Sequence, residues 1–270
     1  MNKIEVVNNN ITSNIDDTIN LEIIDNTVFL SVKKIIINII KDTNLILKFK
    51  NKELEKWNIE FNIDKNVKFN LFELKQGNES KTQYTFNLDE SSDTFIYKFN
   101  DLKTIKERAI INLNGTNSKI NYNFKTISKN IEEYDYIINH KANNTESNLN
   151  TNGVNIKNGV LSFNITGDVL KGKTDCLINE ESRIINLTNN KCIIKPNLLV
   201  EEYSVSANHS ALIGNFSDEE LFYLQSRGIS KNIAINLLIK GFLLKDISIF
   251  EDLKEEIEKI INKYWRWFNE

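Results

Sequence analysis

The sequence predicts a mainly β protein built of many short strands, followed by a small C-terminal α-helical region. Three observations carry this expectation. Through residues 1–215, apolar and polar residues alternate in short runs: Phe69 and Leu71, then Tyr84, Phe86 and Leu88, then Phe95, Tyr97 and Phe99, then Ile120, Tyr122 and Phe124. A period of two puts each set on one face of a strand. Turns rich in Asn, Asp, Gly and Ser separate the runs with no helical pattern between them, which argues against βαβ units. After Gly214 the period lengthens to that of amphipathic helices.

Short strands at regular spacing fit a sandwich, a barrel or a β-solenoid. The absence of intervening helices and the abundance of Asn at turns favour the solenoid. Asn tolerates left-handed backbone, and its amides can stack between successive coils. No fixed-length repeat is visible, so pattern alone leaves the sandwich open.

The helical region is read from its caps. Ser217-Asp-Glu-Glu220 is a capping box that starts one helix, and Gly228 is placed to stop it. Ser230 can cap a second helix, with Ile233, Leu237 and Leu238 on one face. A third is expected from about 249 to 268, on a stripe of Leu253, Ile257, Ile260, Ile261, Tyr264 and Phe268. Its acids lie early and its lysines late, as the helix dipole prefers. Trp265 and Trp267 are two apart and cannot both face inward, so one is expected at the surface. The boundary falls near 215, giving a β core over 1–215 and a helical domain over 216–270.

Composition bounds the function. The 270 residues are 40% hydrophobic and 26% charged, with a net charge of −3, so a core can form on a nearly balanced chain. No Lys/Arg cluster is interleaved with aromatics, which argues against a nucleic-acid partner. The longest apolar run, Ile35–Ile40, contains Asn38 and is far short of the roughly 20 residues that span a bilayer. The first ten residues lack a signal-peptide stretch, and two cysteines make no disulfide framework. The expected location is cytoplasmic, with no membrane partner. No P-loop, G-x-S-x-G elbow or H-E-x-x-H motif occurs, so the chain is expected not to be an enzyme.

Residues 206–242 carry the most specific signal: His209 ending a strand, Gly214, an acidic pair, Leu221-Phe222-Tyr223, Ser226-Arg227-Gly228-Ile229-Ser230 and Gly241-Phe242. This segment resembles the C-terminal part of the SufB/SufD family, on its SufD side, the scaffold of SUF iron–sulfur cluster assembly. The resemblance weakens toward residue 160. It implies a right-handed parallel β-helix and thereby decides between solenoid and sandwich. It also implies a non-catalytic scaffold subunit that pairs with a SufB-like protein through the β-helix and binds a SufC-like ABC ATPase through its helices. His209, otherwise a core-capping or edge histidine on one strand face with Tyr203, Val205, Ala207, Ala211 and Ile213, would then lie at the SufB contact as a metal ligand or a support for one. Imidazole suits iron. No cofactor is expected to stay bound; an iron–sulfur cluster would reside transiently at the SufB interface. The ATPase-docking surface is placed on Glu219, Glu220, Leu221, Phe222, Tyr223, Ser226, Arg227, Gly228 and Gly241, with Arg227 either an anchor or a cap for the preceding helix's carbonyls. The family's N-terminal helical region is expected to be lacking, because strands begin almost at once.

Cys176 and Cys192 match no zinc or iron–sulfur spacing and are read as buried structural cysteines. The functional cysteine position of SufB falls near Glu181, ahead of Ile184-Ile185-Asn186, which agrees with a SufD-like chain. His140 is read as a surface or strand-end residue. Two other functions stay in view. A carbohydrate-active β-solenoid enzyme would need paired carboxylates, for which Asp168 and Asp175 are the nearest pair. The other is a generic β-rich binding protein.

Overall fold

The computed structural model describes residues 1–7, 10–25, 32–51 and 55–265. The chain coils into a β-solenoid of about 7 turns whose wall is two sheets. One sheet runs, in spatial order, β17 (Val205–Gly214), β15 (Cys176–Asn186), β13 (Glu146–Asn155), β11 (Lys119–Ser128), β9 (Asp93–Asp101), β7 (Lys68–Gly77), β5 (Thr43–Asn51), β1 (Asn2–Val7) and β2 (Asn10–Asn14). The other runs β16 (Ile193–Val200), β14 (Val160–Val169), β12 (Ile131–His140), β10 (Thr104–Leu113), β8 (Glu79–Leu88), β6 (Glu55–Ile63), β4 (Val32–Ile39) and β3 (Ile19–Asp25). Successive coils pair in parallel register. Among the described residues, only β1 with β2 and β3 with β4 pair antiparallel, and β2 and β3 end their sheets at the N-terminal end.

The coil-to-coil stacking expected of Asn is present. Asn62 donates to Asn38, Asn87 to Asn62, Asn112 to Asn87 and Asn139 to Asn112, at 2.8–2.9 Å. Asn62, Asn87 and Asn112 each accept from one neighbouring coil and donate to the other, so the ladder fixes register by chemistry as well as by shape. Asn66, Asn117 and Asn144 hold turns at φ of 60°, 62° and 56°, the left-handed region that Asn tolerates. Pro196, which cannot donate to a ladder, sits in the edge strand β16.

The lumen is apolar along most of its length. Ile37, Phe61, Phe86, Ile111 and Ile138 are buried there, and Phe61 stacks on Phe86 with centroids 4.8 Å apart. A second apolar layer lies on the outer face of the longer sheet, where Phe72, Leu74, Tyr97, Phe99, Ile127, Val154 and Ile185 pack under the C-terminal helices. These are α1 (Asp218–Ser226), α2 (Lys231–Leu243), a 3-10 helix (Ser248–Leu253) and α3 (Lys254–Trp265). The alternating set Phe95, Tyr97 and Phe99 therefore shares a face, but that face meets the helices. Ile96, Lys98 and Asn100 are the residues of β9 that point into the lumen.

Three local expectations are corrected. The third helix is split: a 3-10 turn precedes α3, because Phe250 leaves helical geometry (φ −121°, ψ 40°) to pack on Phe72, ring centroids 5.6 Å apart. In α2 the buried residues are Ala234, Ile239 and Leu243, with Leu238 partly buried against the core as expected, while Ile233 and Leu237 stand exposed. Tyr203 precedes β17 and is fully exposed, so it does not share the face of His209. The side chains of Trp265, Trp267 and Phe268 lie outside the described residues.

Candidate functional site at the open end of the solenoid

β17 is the last strand of its sheet and pairs on one edge only, with β15. Every residue of β17 is exposed or half-buried, so its inward row of Ala207, His209, Ala211 and Ile213 closes the lumen without being covered. Leu199 in β16, and Leu212 and Ile213 in β17, are exposed apolar residues at the same end. An uncovered strand edge with apolar side chains is a ready template for a further chain. His209 stands in the middle of this row. In the strand register it lies directly over Glu180 of β15.

Glu180 is 4% exposed, and neither carboxylate oxygen has a hydrogen-bond partner. Burial pushes its carboxyl up to about 7. The carboxyl occupies room left by Gly167 on β14: a Cβ there would stand 2.9 Å from Oε1, with Leu198 and Ile178 just beyond. Glu181, next along β15, points outward and is exposed.

From Gly214 the chain passes into α1 through Phe216, which is buried. Ser217 accepts from the Glu220 amide at 3.1 Å while the Glu220 carboxylate accepts from the Ser217 amide at 2.9 Å, completing the capping box. At the other end Gly228 (φ 80°) donates to the Gln225 carbonyl and Ile229 to that of Leu224, a Schellman closure that requires left-handed backbone at Gly228. Ser230 occupies the N-cap of α2, but its side chain makes no capping bond. Arg227 lies over the Tyr223 ring at 5.5 Å. Its backbone N–H, not its guanidinium, bonds the helix-end carbonyl of Leu224.

Of the segment singled out in sequence, Leu221 packs partly against the core, and the rest faces out. Phe222 is 72% and Tyr223 59% exposed; Glu219, Glu220, Ser226, Arg227, Gly228 and Gly241 are exposed too. Ile233 and Leu237 of α2 are exposed apolar residues as well. Ser226 donates back to the Tyr223 carbonyl at 2.8 Å, a local bond within α1.

The other candidates have structural roles. His140 ends β12 but is not at the surface: it is fully buried, with Nδ1 2.7 Å from Thr145 Oγ1 and Nε2 2.9 Å from Ser147 Oγ. Its position faces the lumen, and burial lowers its pKa to about 4. Cys176 is fully buried beside Thr145, 3.3 Å away; Cys192 is half-buried against the core. Asp168 lies on β14 in register with Asn139, whereas Asp175 is in the following turn, bound by Ser204 and Thr174. Among the described residues no group of three or more His, Cys, Asp or Glu could hold a metal ion.

Sequence reading missed a polar centre inside the lumen. Glu107 binds Lys98 at 2.6 Å and Lys75 at 3.0 Å, Glu73 binds Lys98 at 3.2 Å, and Tyr84 and Tyr136 donate to Glu73 and Glu107. All six side chains are buried. Burial alone would push the Glu107 carboxyl up, but the two lysines outweigh it and hold it down at about 2. Two acids and two lysines balance, which is how charge is tolerated in a dry interior. The only sequence sign was a charged residue at an inward position of an alternating run.

A two-sheet, mostly parallel β-solenoid with a C-terminal helical appendage is the class this architecture defines. The "SUF system FeS cluster assembly, SufBD core domain" family matches residues 28–242, which include every coil from β4 onward as well as α1 and α2. The chain belongs to this SufBD family of iron–sulfur cluster assembly. Among curated proteins, the iron–sulfur cluster assembly protein SufD of Bacillus subtilis is 32% identical over 120 residues, 41% of this chain and 28% of that protein. A SufBD family protein of Pyrococcus horikoshii is 50% identical over 66 residues, 23% of this chain and 14% of its own length. Another from Archaeoglobus fulgidus is 34% identical over 102 residues, 36% and 26% respectively. The matched segments thus span less than a third of these relatives. No described helix is long and apolar enough to cross a membrane.

Proposed function

We propose that this chain is a SufD-like, non-catalytic scaffold subunit of the SUF system. It pairs through the open end of its solenoid with a SufB-like protein and presents α1 and α2 to a SufC-like ABC ATPase. The observation that carries the reading is a pairing of two uncovered surfaces with a family match over both. β17 ends its sheet with an unpaired edge and exposed Leu212 and Ile213, and Phe222, Tyr223, Ile233 and Leu237 stand out from the helix pair. Helix faces of this kind seat in partner grooves.

The helices are well placed to transmit a pull. The Tyr97 hydroxyl donates to the Leu243 carbonyl at 2.7 Å, Lys125 pairs with Asp246 at 3.5 Å, and Ile239, Leu243, Phe250 and Ile257 share one apolar layer with the sheet. When ATP draws two ATPase subunits together, force on α1 and α2 passes through this layer to the solenoid wall and strains the contact at β17. His209 lies in that contact, as a ligand or support for the nascent cluster, which is cargo and not a resident group.

The test is co-expression of the tagged chain with the SufB-like protein and the ATPase of the same genome, followed by size-exclusion chromatography. A complex of all three is expected. The exposed-surface variants Phe222→Asp and Leu237→Asp should lose the ATPase and keep the SufB-like partner, with thermal stability unchanged. A parent chain that elutes without either partner sinks the reading.

A further inference from the structure

Among the described residues, four glutamates face the lumen: Glu73, Glu107, Glu132 and Glu180. The first two meet lysines, and Glu132 accepts from Thr126 at 2.7 Å and Tyr134 at 2.9 Å. Glu180 alone of the four has no partner on either oxygen, although it is nearly as buried. A buried carboxylate left without a donor costs free energy unless it takes up a proton or meets a positive charge. Room has been made for it, since Gly167 on the facing sheet lacks the Cβ that would stand 2.9 Å from Oε1.

What lies directly over Glu180 is His209, in register on the next coil. Adjacent strands are about 4.8 Å apart, so inward side chains at paired positions emerge side by side. The pair is therefore one carboxylate and one imidazole, at the last coil of the lumen, beside the uncovered edge. A carboxylate oxygen with an imidazole nitrogen is a donor set that suits ferrous iron, with remaining positions open.

We propose that Glu180 is a second iron donor of this chain, forming with His209 a two-residue site for a ferrous ion at the open end of the solenoid. This rests on the reading of His209 as an iron-facing residue and extends it inward by one coil. The site takes its remaining ligands from solvent or from the partner at β17. Metal binding would also supply a partner to the one inward carboxyl among the described residues that has none on either oxygen.

The experiment is anaerobic titration of the full chain with Fe(II), read by calorimetry and by the shift in thermal midpoint, on the parent, Glu180→Gln and His209→Ala. Glu180→Gln keeps shape and removes charge, so its metal-free stability should match or exceed that of the parent. Both variants should weaken Fe(II) binding by about tenfold or more, and both should lose the Fe(II)-dependent rise in thermal midpoint. Parental binding in Glu180→Gln, or a parent that does not bind Fe(II), overturns the proposal. If His209→Ala alone weakens binding, Glu180 is not a donor while the reading of His209 stands. Complex formation is measured separately, so loss of the docking reading is distinguishable from loss of the iron site.

Discussion

Single residues set much of the pH behaviour of this lumen. His140 is held neutral by burial, with its pKa lowered from 6.5 to about 4. The unfolded chain binds that proton near 6.5 and the folded chain does not, so stability from this group is complete above 6.5 and falls as pH drops toward 4. The full loss is roughly 3 kcal/mol. Glu132 runs the other way. Burial raises its pKa from 4.5 to about 7, so its folded form keeps a proton that the unfolded chain has shed, and stability falls as pH rises from 4.5 to 7. Denaturant unfolding at pH 5, 6, 7 and 8 should therefore show opposite changes in slope. Relative to the parent, His140→Gln should lose less stability on acidification, and Glu132→Gln should gain most at pH 8. Parallel profiles for both variants would refute these assignments. His140 was legible as a strand-end residue but not as a buried one, because its hydroxyl partners Thr145 and Ser147 come from the turn and the next strand.

At the scale of elements, the asparagine ladder and the helix caps give the clearest energetic statements. Asn87 donates to Asn62 and accepts from Asn112, whereas the described partner of Asn38 in the ladder is Asn62 alone. Asn87→Ala should thus cost more than Asn38→Ala, about 1–3 kcal/mol for the interior position by urea unfolding. Equal, negligible losses would show that the ladder contributes nothing to register. The caps at Ser217 and Gly228 were readable because a capping box and a Schellman stop are local, spanning a few residues. Element faces were readable only where one side of a strand is polar. β8 shows Tyr84, Phe86 and Leu88 inward as expected, but β9 is buried on both sides, and there alternation no longer tells lumen from helix layer. In α2 the expected face kept Leu238, which packs on the core, while Ile233 and Leu237 gave way to Ala234, Ile239 and Leu243, because a helix that also presents apolar residues outward has no single stripe.

At the scale of the molecule, the solenoid brings together residues one coil apart. Bonded asparagines of successive coils are separated by 24 to 33 residues, an irregular spacing that hides the repeat from sequence inspection. The same irregularity hid the Glu73–Lys75–Lys98–Glu107 centre, the Glu180–His209 pair, and the column in which Lys56, Lys81 and Lys106 lie in register. What sequence did convey about function lay in a contiguous stretch, residues 206–242, where strand end, helix cap and helix stop follow one another without leaving the chain. The two ends of the solenoid also differ in a way no local pattern shows: the last pairs at the N-terminal end, β1 with β2 and β3 with β4, are antiparallel, whereas β17 joins its sheet in parallel.

That asymmetry makes the account directly measurable by hydrogen exchange on the isolated chain and on the chain with a SufB-like protein and an ABC ATPase. The account predicts that the SufB-like partner slows exchange along 205–214, the ATPase slows exchange along 218–243, and neither protects the opposite end at β1–β4. Protection confined to β1–β4, or none at 205–214 and 218–243, would contradict it.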